Sequence, residues 1–239
     1  MNIAGSGSLP GGDYNEGIHI AGSGRVNGNV SCTEMCISGS GKVAGNLLCS
    51  DKLKVSGSGH IDGSVQAHTV GISGSAHIEG PVTSDGEVHV AGSMHSGAIR
   101  CAILKCSGSL HADGDISAEE AVIRGAVHTP GLINAERVDI EIGGDSDADS
   151  IGGSTIDIRS RGSRKNFFAR LLGGGDECIM TVANSIEGDQ ITLENVVAQV
   201  VTGRIVKIGK NCSIRQVWYS DGVEISPDAN VDRYDMINP

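Results

Sequence analysis

The sequence predicts an all-β fold, a parallel β-helix whose turns, or rungs, hold about 17 residues each and stack along one axis. Two observations lead to this prediction. An aliphatic-x-Gly-Ser motif recurs at nearly constant spacing, and the 239 residues include 36 glycines but only two Phe, three Tyr and one Trp. A conventional core uses aromatic side chains as bulky filler, so the composition indicates a narrower interior.

The repeat is anchored on an apolar residue, which in the first eight copies stands two positions before a glycine. The anchors are Ile3, Ile20, Ile37, Val55, Ile72, Val90, Cys106, Ile123 and Ile140, at spacings of 16 to 18 residues. The glycine column runs from Gly5 to Gly125 without a gap. Recurrence of this regularity predicts rungs that stack in register.

Each rung is predicted to contain three short strands. Apolar and polar residues alternate between the glycines, as in Val88-His89-Val90, which is the period of a β-strand. Gly and Ser recur too often for stable helices, and the glycines mark corners at which the chain turns. A triangular rung follows, and like residues of successive rungs form ladders with a spacing of about 4.8 Å.

The motif divides the chain into four parts. Residues 1–142 are predicted to form regular rungs, and residues 143–176 to form an insertion with a loop or short helix. Alternation returns in residues 177–224, where Val182, Val200 and Val217 keep the rung spacing, so further rungs are predicted there. Residues 225–239 are expected to be a cap or a loose tail.

Composition and charge argue against several classes of function. A formal net charge of −11 argues against nucleic acid as a partner. Matches to G-x-G recur with every rung and without a following helix, so no nucleotide or other cofactor is expected. No signal peptide or membrane-spanning run is recognised, and the odd count of seven cysteines indicates reduced thiols in a cytoplasmic protein.

A column of histidines lies five positions after successive anchors: His60, His77, His95, His111 and His128. Stacked imidazoles can bind Zn²⁺ or respond to pH near neutrality. Arg25 and Lys42 occupy the same column, so no metal site is expected, and the column is interpreted as a solvated edge. We hypothesise that protonation below about pH 6 loosens the rod through like-charge repulsion.

One acidic segment begins like a calcium-binding loop. Asp145, Asp147 and Asp149 follow a D-x-D-x-D pattern, but Ser150 and Ile156 stand where the turn glycine and the bidentate glutamate belong. A solvated acidic loop is therefore expected.

A carbohydrate-active β-helical enzyme is the less favoured alternative function. Its acids would be Asp62, Glu79 and Asp113, which share one outward column. The chain has almost no aromatic residues that would hold a sugar ring. We therefore predict that the protein is not an enzyme and has no catalytic residues.

The segment 159–172, RSRGSRKNFFARLL, departs from the rest of the chain. It holds both phenylalanines and five of the 18 basic residues, and a short helix over residues 166–172 would place its apolar side chains along one side. Such a segment suits contact with an anionic inner membrane surface. The predicted contact residues are Arg164, Lys165, Phe167, Phe168, Arg170, Leu171 and Leu172. The alternative is a helix that caps an open end of the solenoid.

Four runs of the sequence resemble one known family. Residues Ile37–Gly45 read ISGSGKVAG and Val55–Gly63 read VSGSGHIDG. With the run Ile186–Ile214 and the GG-x-x-I of Gly152–Ile156, they resemble the bactofilins, which are polymer-forming cytoskeletal proteins of bacteria, and in particular the longer Gram-positive members.

The resemblance implies a right-handed β-helix that assembles end to end into nonpolar filaments without a nucleotide. It also implies a scaffold that is often attached to the inner face of the cell membrane. The partner implied is another copy of the same chain, and whether a paralogue co-polymerises with it is left open.

The ends of the solenoid are the predicted polymer interface, because a β-helix presents unpaired backbone at both ends. At the N-terminal end the predicted interface residues are Ile3, Ile18 and Ile20, and at the other end they are Trp218 and Tyr219. The alternative is an interaction module with the same fold that stays monomeric.

Overall fold

A computed structural model describes residues 1–160 and 178–237, and in these residues the chain forms a parallel β-solenoid without helices. The solenoid has about 13 turns and the form of a right-handed β-helix. The fold class predicted from the repeat is therefore confirmed. The predicted short helix over residues 166–172 lies outside the described residues.

The N-terminal rungs contain nine strands. They are β1 (Asn2–Ile3), β2 (Ser6–Asp13), β3 (Ile18–Ile20), β4 (Ser23–Ile37), β5 (Ser40–Val43), β6 (Leu47–Val55), β7 (Ser58–Ile61), β8 (Val65–Ala67) and β9 (Thr69–Ile72). Most of the shorter strands form one side of a rung, whereas β4 continues through two corners.

The middle rungs show the three-sided pattern most clearly. Their strands are β10 (Ser75–Ile78), β11 (Val82–Ser84), β12 (Glu87–Val90), β13 (Ser93–Ser96), β14 (Ile99–Arg100), β15 (Ile103–Cys106), β16 (Ser109–Ala112), β17 (Ile116–Ile123) and β18 (Ala126–His128). We call the sides formed by β10, β11 and β12, and their equivalents in other rungs, the first, second and third faces.

The remaining rungs use longer strands. They are β19 (Leu132–Ile142), β20 (Ser146–Ala148), β21 (Ser150–Ser160), β22 (Met180–Leu193), β23 (Val196–Ile208), β24 (Ser213–Ile225) and β25 (Asn230–Met236). The buried apolar side chains of these strands belong to the same core cluster as those of the earlier rungs.

Successive rungs pair in parallel and bring like residues together. On the first face, for example, His77 of β10 is paired with His95 of β13. On the second face Val82 is paired with Ile99. This register extends each sequence column into a ladder along the rod, because strands inside the rod hydrogen bond to the rungs on both sides.

The core is a narrow column of aliphatic side chains. In β12, Val88 and Val90 are fully buried, whereas the intervening His89 is partly exposed. Leu104 and Ile99 in the next rung are likewise buried. Seven free cysteines are present, and five of them lie in this core. Inward positions are thus filled by medium and small side chains, as the shortage of aromatic residues predicted.

One corner requires glycine because successive rungs approach too closely for a side chain. A Cβ atom on Gly74 would overlap the carbonyl oxygen of Gly57, and the same overlap recurs at Gly92 and Gly108. Ser75 donates its amide N–H to the Gly57 carbonyl at 2.9 Å, which holds the two corners together. The sequence column of glycines therefore reflects contact between rungs.

The regular solenoid extends beyond the predicted boundary at residue 142. Strand β20 pairs with β22, and β21 pairs with β19 through Ile140 and Ile158, so residues 146–160 belong to a rung. The prediction that an insertion begins at residue 143 is corrected to this extent. The repeat concealed this rung because the anchor Ile158 is followed by Arg159 and Ser160 instead of a glycine corner.

The chain also ends differently from the expected cap or loose tail. Residues Asn230–Met236 form β25, which pairs in parallel with β24 and adds a final rung. Tyr234 is paired with Val217 and Val231 with Ile214. The rung spacing of about 17 residues therefore continues to the end of the described chain.

Candidate functional site

The candidate assembly surfaces are the two ends of the solenoid. At the N-terminal end, β1 pairs with β3 and β2 pairs with β4. At the other end, β25 pairs with β24. Within the described parts of the chain no strand covers the outer edges of β1, β2 or β25. Each edge therefore presents N–H and C=O groups that another chain can pair with.

The N-terminal edge is formed mainly by β2. Most of its residues are exposed, and Leu9 is partly buried against the core. Pro10 has no N–H group, so it removes one donor from this edge. The terminal amine of Met1 lies 3.1 Å from Glu16 Oε2, and the Met1 side chain is 41% exposed. This end thus offers an open, mostly polar strand edge beside the exposed Met1 side chain.

The predicted N-terminal interface residues lie inside the rod. Ile18 is 0% exposed, Ile20 is 1% exposed and Ile3 is 8% exposed. Ile20 is paired with Ile3 of the outer rung. The prediction placed these side chains on an end face because they stand near the start of the sequence. Ile18 and Ile20 are instead covered by neighbouring rungs, and Ile3 of the outer rung points inward and belongs to the same core cluster. They are corrected to core positions.

The predicted residues at the other end lie one rung below the surface. Trp218 and Tyr219 belong to β24 and are covered by β25, where they are paired with Asp235 and Met236. Both are partly buried. The actual end exposes apolar side chains that the sequence interpretation missed, namely Tyr234 at 55%, Met236 at 55% and Ile237 at 39%. The spacing between Val217 and Tyr234 was the signal that could have revealed this rung.

The histidine column forms a continuous ladder on the first face. His60, His77, His95, His111 and His128 are paired in register from β7 to β18. Neighbouring ring centroids lie 5.1, 4.7, 4.5 and 6.2 Å apart along this series. The side chains are 35–47% exposed, so the ladder faces solvent, as the alternation predicted.

Each of these histidines contacts a carboxylate, which the sequence interpretation did not include. The contacts are His60 Nε2–Asp62 Oδ1 at 2.7 Å, His77 Nε2–Glu79 Oε1 at 3.0 Å, His95 Nε2–Asp113 Oδ2 at 2.8 Å, His111 Nε2–Asp113 Oδ1 at 3.2 Å and His128 Nδ1–Asp147 Oδ1 at 2.6 Å. A cationic ladder would therefore be balanced in part by anions. The hypothesis that protonation loosens the rod stays a prediction, and melting temperatures between pH 8 and 5.5 measure it.

Asp62 and Asp113 differ in the basic groups that lower the pKa of the carboxyl. The pKa of Asp62 lies below its usual value because the Lys42 ammonium group hydrogen bonds to it, with a smaller contribution from His60. The pKa of Asp113 is lowered first by its hydrogen bond with His95 and then by His111. Asp113 is thus shared by two imidazoles, whereas Asp62 is shared by an imidazole and an ammonium group.

The acidic residues weighed for calcium or catalysis have other partners. Asp147 contacts His128, and Asp149 Oδ1 accepts a hydrogen bond of 2.8 Å from Asn184 Nδ2. Asp62 and Glu79 contact the histidines two residues before them, His60 and His77. Asp62, Glu79 and Asp147 are thus neighbours of basic side chains along the rod surface, whereas Asp149 is held by a neutral amide.

An arginine-carboxylate cluster lies where the glycine-rich rungs meet the longer strands. Arg124 Nη1 and Nη2 donate to Asp139 Oδ1 and Oδ2 at 2.9 and 2.6 Å, and Arg159 Nη2 lies 3.1 Å from Asp139 Oδ1. Asp139 is 7% exposed. Burial raises the pKa of its carboxyl, but the hydrogen bonds and charge of Arg124, followed by Arg159, outweigh burial and leave the pKa below its usual value.

The predicted membrane-contact residues fall between β21 and β22. Arg164, Lys165, Phe167, Phe168, Arg170, Leu171 and Leu172 lie outside the described residues. Strand β21 ends at Ser160 and β22 begins at Met180, so the segment joins two neighbouring rungs. Among the described residues no helix is long and apolar enough to cross a membrane.

Comparison with known proteins supports the family resemblance. Residues 3–82 match the Bactofilin family, described as polymer-forming and cytoskeletal. The chain is 36% identical over 102 residues to the uncharacterized protein YhbF of Bacillus subtilis (strain 168), and 36% identical over 103 residues to the uncharacterized protein YhbE of the same strain.

These matches are partial. They cover 42% and 43% of this chain, and the chain spans 40% and 41% of the length of the two relatives. No solved structure matches the chain. The similarity to the bactofilins predicted from the sequence is confirmed over residues 3–82.

Proposed function

We propose that this chain, which carries a bactofilin domain over residues 3–82, is a structural scaffold that assembles end to end into filaments without a nucleotide. The domain supports the coarser assignment to a polymer-forming cytoskeletal family. The observation that carries the finer proposal is the open strand edge at each end of the rod, at β2 and at β25.

The C-terminal end supports association most strongly. Tyr234, Met236 and Ile237 are large apolar side chains exposed around an unpaired edge. Burial of such side chains contributes about 25 cal/mol per Å² of apolar area, and edge pairing adds backbone hydrogen bonds. The two effects together favour a second β-helix end as the partner.

Contacts between like ends are the simplest arrangement. Two rods that meet N-terminus to N-terminus or C-terminus to C-terminus are related by a two-fold axis, and each contact is self-complementary. Alternation of the two contacts gives a filament without polarity. Because about 13 turns at a spacing of ~4.8 Å extend for about 60 Å, this filament would repeat about every 120 Å.

The first experiment is negative-stain electron microscopy of purified protein without nucleotide or metal, together with sedimentation velocity. We expect filaments from the unmodified chain. Rods that stay monomeric at high concentration would contradict the proposal and favour an interaction module of the same fold.

Variants at each end test the arrangement. Tyr234→Lys with Met236→Lys should block the C-terminal contact, and Leu9→Lys should block the N-terminal contact, because a lysine at a strand edge opposes pairing. Each set alone should leave dimers, and both sets together should leave monomers. Leu48→Lys is the matched control, since Leu48 is 44% exposed but lies on the side of the rod.

Two results would reject this arrangement of contacts. Filaments that persist in the combined variant would show that the end rungs do not join subunits. Loss of filaments in Leu48→Lys would indicate lateral contacts instead. Thermal unfolding of every variant separates a blocked interface from a damaged fold.

We also propose a peripheral position at the inner face of the cell membrane, through residues 164–172. The support is the basic and apolar composition of this segment. Many copies along a filament would add avidity to a weak individual contact. Co-sedimentation with anionic vesicles measures it, and Phe167→Ala with Phe168→Ala should reduce binding, whereas unchanged binding would favour the alternative of a capping segment.

A further inference from the structure

We propose that His95, His111 and Asp113 form a binding site for a divalent transition-metal ion, Zn²⁺, on the first face of the solenoid. The site is independent of the proposed assembly function. It departs from the expectation of no metal site, which rested on the presence of Arg25 and Lys42 in the same sequence column.

The three side chains converge on one point. His95 Nε2 lies 2.8 Å from Asp113 Oδ2, and His111 Nε2 lies 3.2 Å from Asp113 Oδ1. The ligand atoms of all three residues lie within 4.8 Å of one another. Zn²⁺ binds imidazole nitrogens and carboxylate oxygens at about 2.0–2.2 Å, so small side-chain rotations would admit an ion between them.

The fold holds the two imidazoles in place. His95 of β13 and His111 of β16 are paired in register on adjacent rungs. The residues beside them, Met94 and Leu110, are 1% and 0% exposed, so the core fixes the backbone on which the histidines stand. Two ligands presented by neighbouring strands of a rigid sheet need little reorganisation on binding.

The cations in the column do not reach this site. Arg25 Nε donates to Asn27 Oδ1 at 2.9 Å, and Lys42 Nζ lies 2.8 Å from Asp62 Oδ1. Lys42 therefore occupies, beside Asp62, the place that a second imidazole occupies beside Asp113. A metal ion at the Asp62 position would meet this ammonium group, whereas at Asp113 it would meet a second imidazole.

Another cluster with suitable ligands is less favourable for the same reason. His19, Glu34 and Cys36 also have ligand atoms within 4.8 Å of one another. Lys52 Nζ lies 2.7 Å from Glu34 Oε2, so an ion would have to compete with an ammonium group. Burial also raises the pKa of the Cys36 thiol, which disfavours the thiolate that binds metals.

The ligand atoms of this site determine which class of metal ion it binds. Two imidazoles and one carboxylate suit Zn²⁺ and similar transition metals, whereas Mg²⁺ and Ca²⁺ prefer oxygen ligands only. His95, His111 and Asp113 are 40%, 47% and 60% exposed, so water can complete the coordination and the ion can exchange.

Binding should depend on pH. Both imidazoles must be neutral to bind the ion, and the neighbouring groups on the ladder are His77, His128, Glu79 and Asp147. Because protons compete with the ion for the imidazole nitrogens, we expect Zn²⁺ binding to weaken on acidification from pH 7.5.

The test is isothermal titration of the full chain, carrying no affinity tag, with ZnCl₂ at pH 7.5 and with MgCl₂ as the comparison ion. We expect one Zn²⁺ per chain and no Mg²⁺ binding. His111→Asn and Asp113→Asn should each weaken Zn²⁺ binding by about tenfold or more. His60→Asn is the matched control in the same column and should leave this binding unchanged.

Thermal unfolding provides a second measurement. An ion that joins two rungs of the folded chain should raise the melting temperature of the unmodified protein, and should not raise that of His111→Asn. Absence of Zn²⁺ binding in the unmodified chain overturns the proposal. An equal loss in His60→Asn and His111→Asn also overturns it, because the ladder would then bind ions without a defined site.

Discussion

The glycine-rich rungs before residue 142 and the rungs after Met180 build the same solenoid with different corners. In the first region most strands are short: β5, β7, β10 and β13 have four residues each and begin directly after stacked glycines, and β4 is an exception that continues through two corners. In the second, β22 has 14 residues and β23 has 13, and they continue around the bends. Asn195 and Asn211 adopt left-handed conformations there, with φ values of 58° and 56°.

The inner column is unchanged between the two regions. Val88 and Val90 in the first region and Val201 and Val206 in the second are all fully buried. The inward side chains therefore determine the cross-section of the rod, whereas the residues at the corners determine which motif the sequence repeats. This explains how the family match can end at residue 82 while the solenoid continues.

The largest effect is expected from breaking a glycine corner. A Cβ atom on Gly74 would overlap the Gly57 carbonyl oxygen, whereas one on Gly71 would come no closer than 4.0 Å to Leu53. We expect Gly74→Ala to lower the free energy of unfolding by about 3 kcal/mol, as overpacking of a rigid structure does. Gly71→Ala should change it by less than about 0.5 kcal/mol. Urea denaturation measures both, and equal effects would show that the corner tolerates a side chain.

The second-largest effect on stability is expected at Asp139, in the arginine-carboxylate cluster between the two regions. Asp139→Asn should remove charged hydrogen bonds from Arg124 and Arg159 and cost about 2 kcal/mol at pH 7. Glu120→Gln is the control, because Glu120 Oε1 lies 3.7 Å from Arg137 Nε in an exposed pair. Such pairs contribute at most about 1 kcal/mol.

The contribution of Asp139 to stability should also depend on pH. The pKa of Asp139 in the folded protein lies below its usual value, so its stabilisation is present above the unfolded pKa of about 3.9 and is lost as the pH falls through the folded value. The difference in stability between the unmodified chain and Asp139→Asn should shrink on acidification from pH 5. A difference that stays constant down to pH 2 would argue against an ionic contribution.

A smaller effect is expected at the asparagine corners. Asn211 is exposed and has a φ of 56°, a conformation that costs most residues about 1 kcal/mol but that glycine adopts freely. Because both variants lose the amide side chain, Asn211→Ala should be less stable than Asn211→Gly by about 1 kcal/mol. Chemical denaturation of both variants tests this, and equal stability would mean that backbone conformation does not limit the choice at this corner.

The sequence predicted the fold because the core of a stacked rung repeats as a local pattern. It predicted the histidine ladder for the same reason, since register turns a column into a line of neighbours. It did not predict that Asp113 contacts both His95 and His111, because that depends on side-chain rotamers across two rungs.

The ends were harder to predict than the middle. The motif identifies inward residues such as Ile20, but whether a rung is outermost depends on what covers it. At the C-terminal end the motif had lost its glycines, so β25 was not recognised and Trp218 was assigned to the surface. Val217 and Tyr234, which share another column, still keep the rung spacing, so the period of the paired columns is a better guide to rungs than the corner residues.

The smallest effect is expected from chemical labelling, which leaves the sequence unchanged. It measures whether the rungs before residue 142 and the rungs after Met180 open together. Burial raises the pKa of the Cys101 thiol to about 11 and also raises the pKa of Cys212. Both are buried, one in each region, whereas Cys178 is partly exposed. Since the thiolate is the reactive form, we expect a maleimide to label Cys178 quickly and the two core thiols slowly and at similar rates, as read by mass spectrometry of peptides. Faster labelling of Cys212 than of Cys101 would mean that the rungs after Met180 open independently of the glycine-rich rungs. The stacked glycine corners would then contribute more than the shared core to keeping the rungs together.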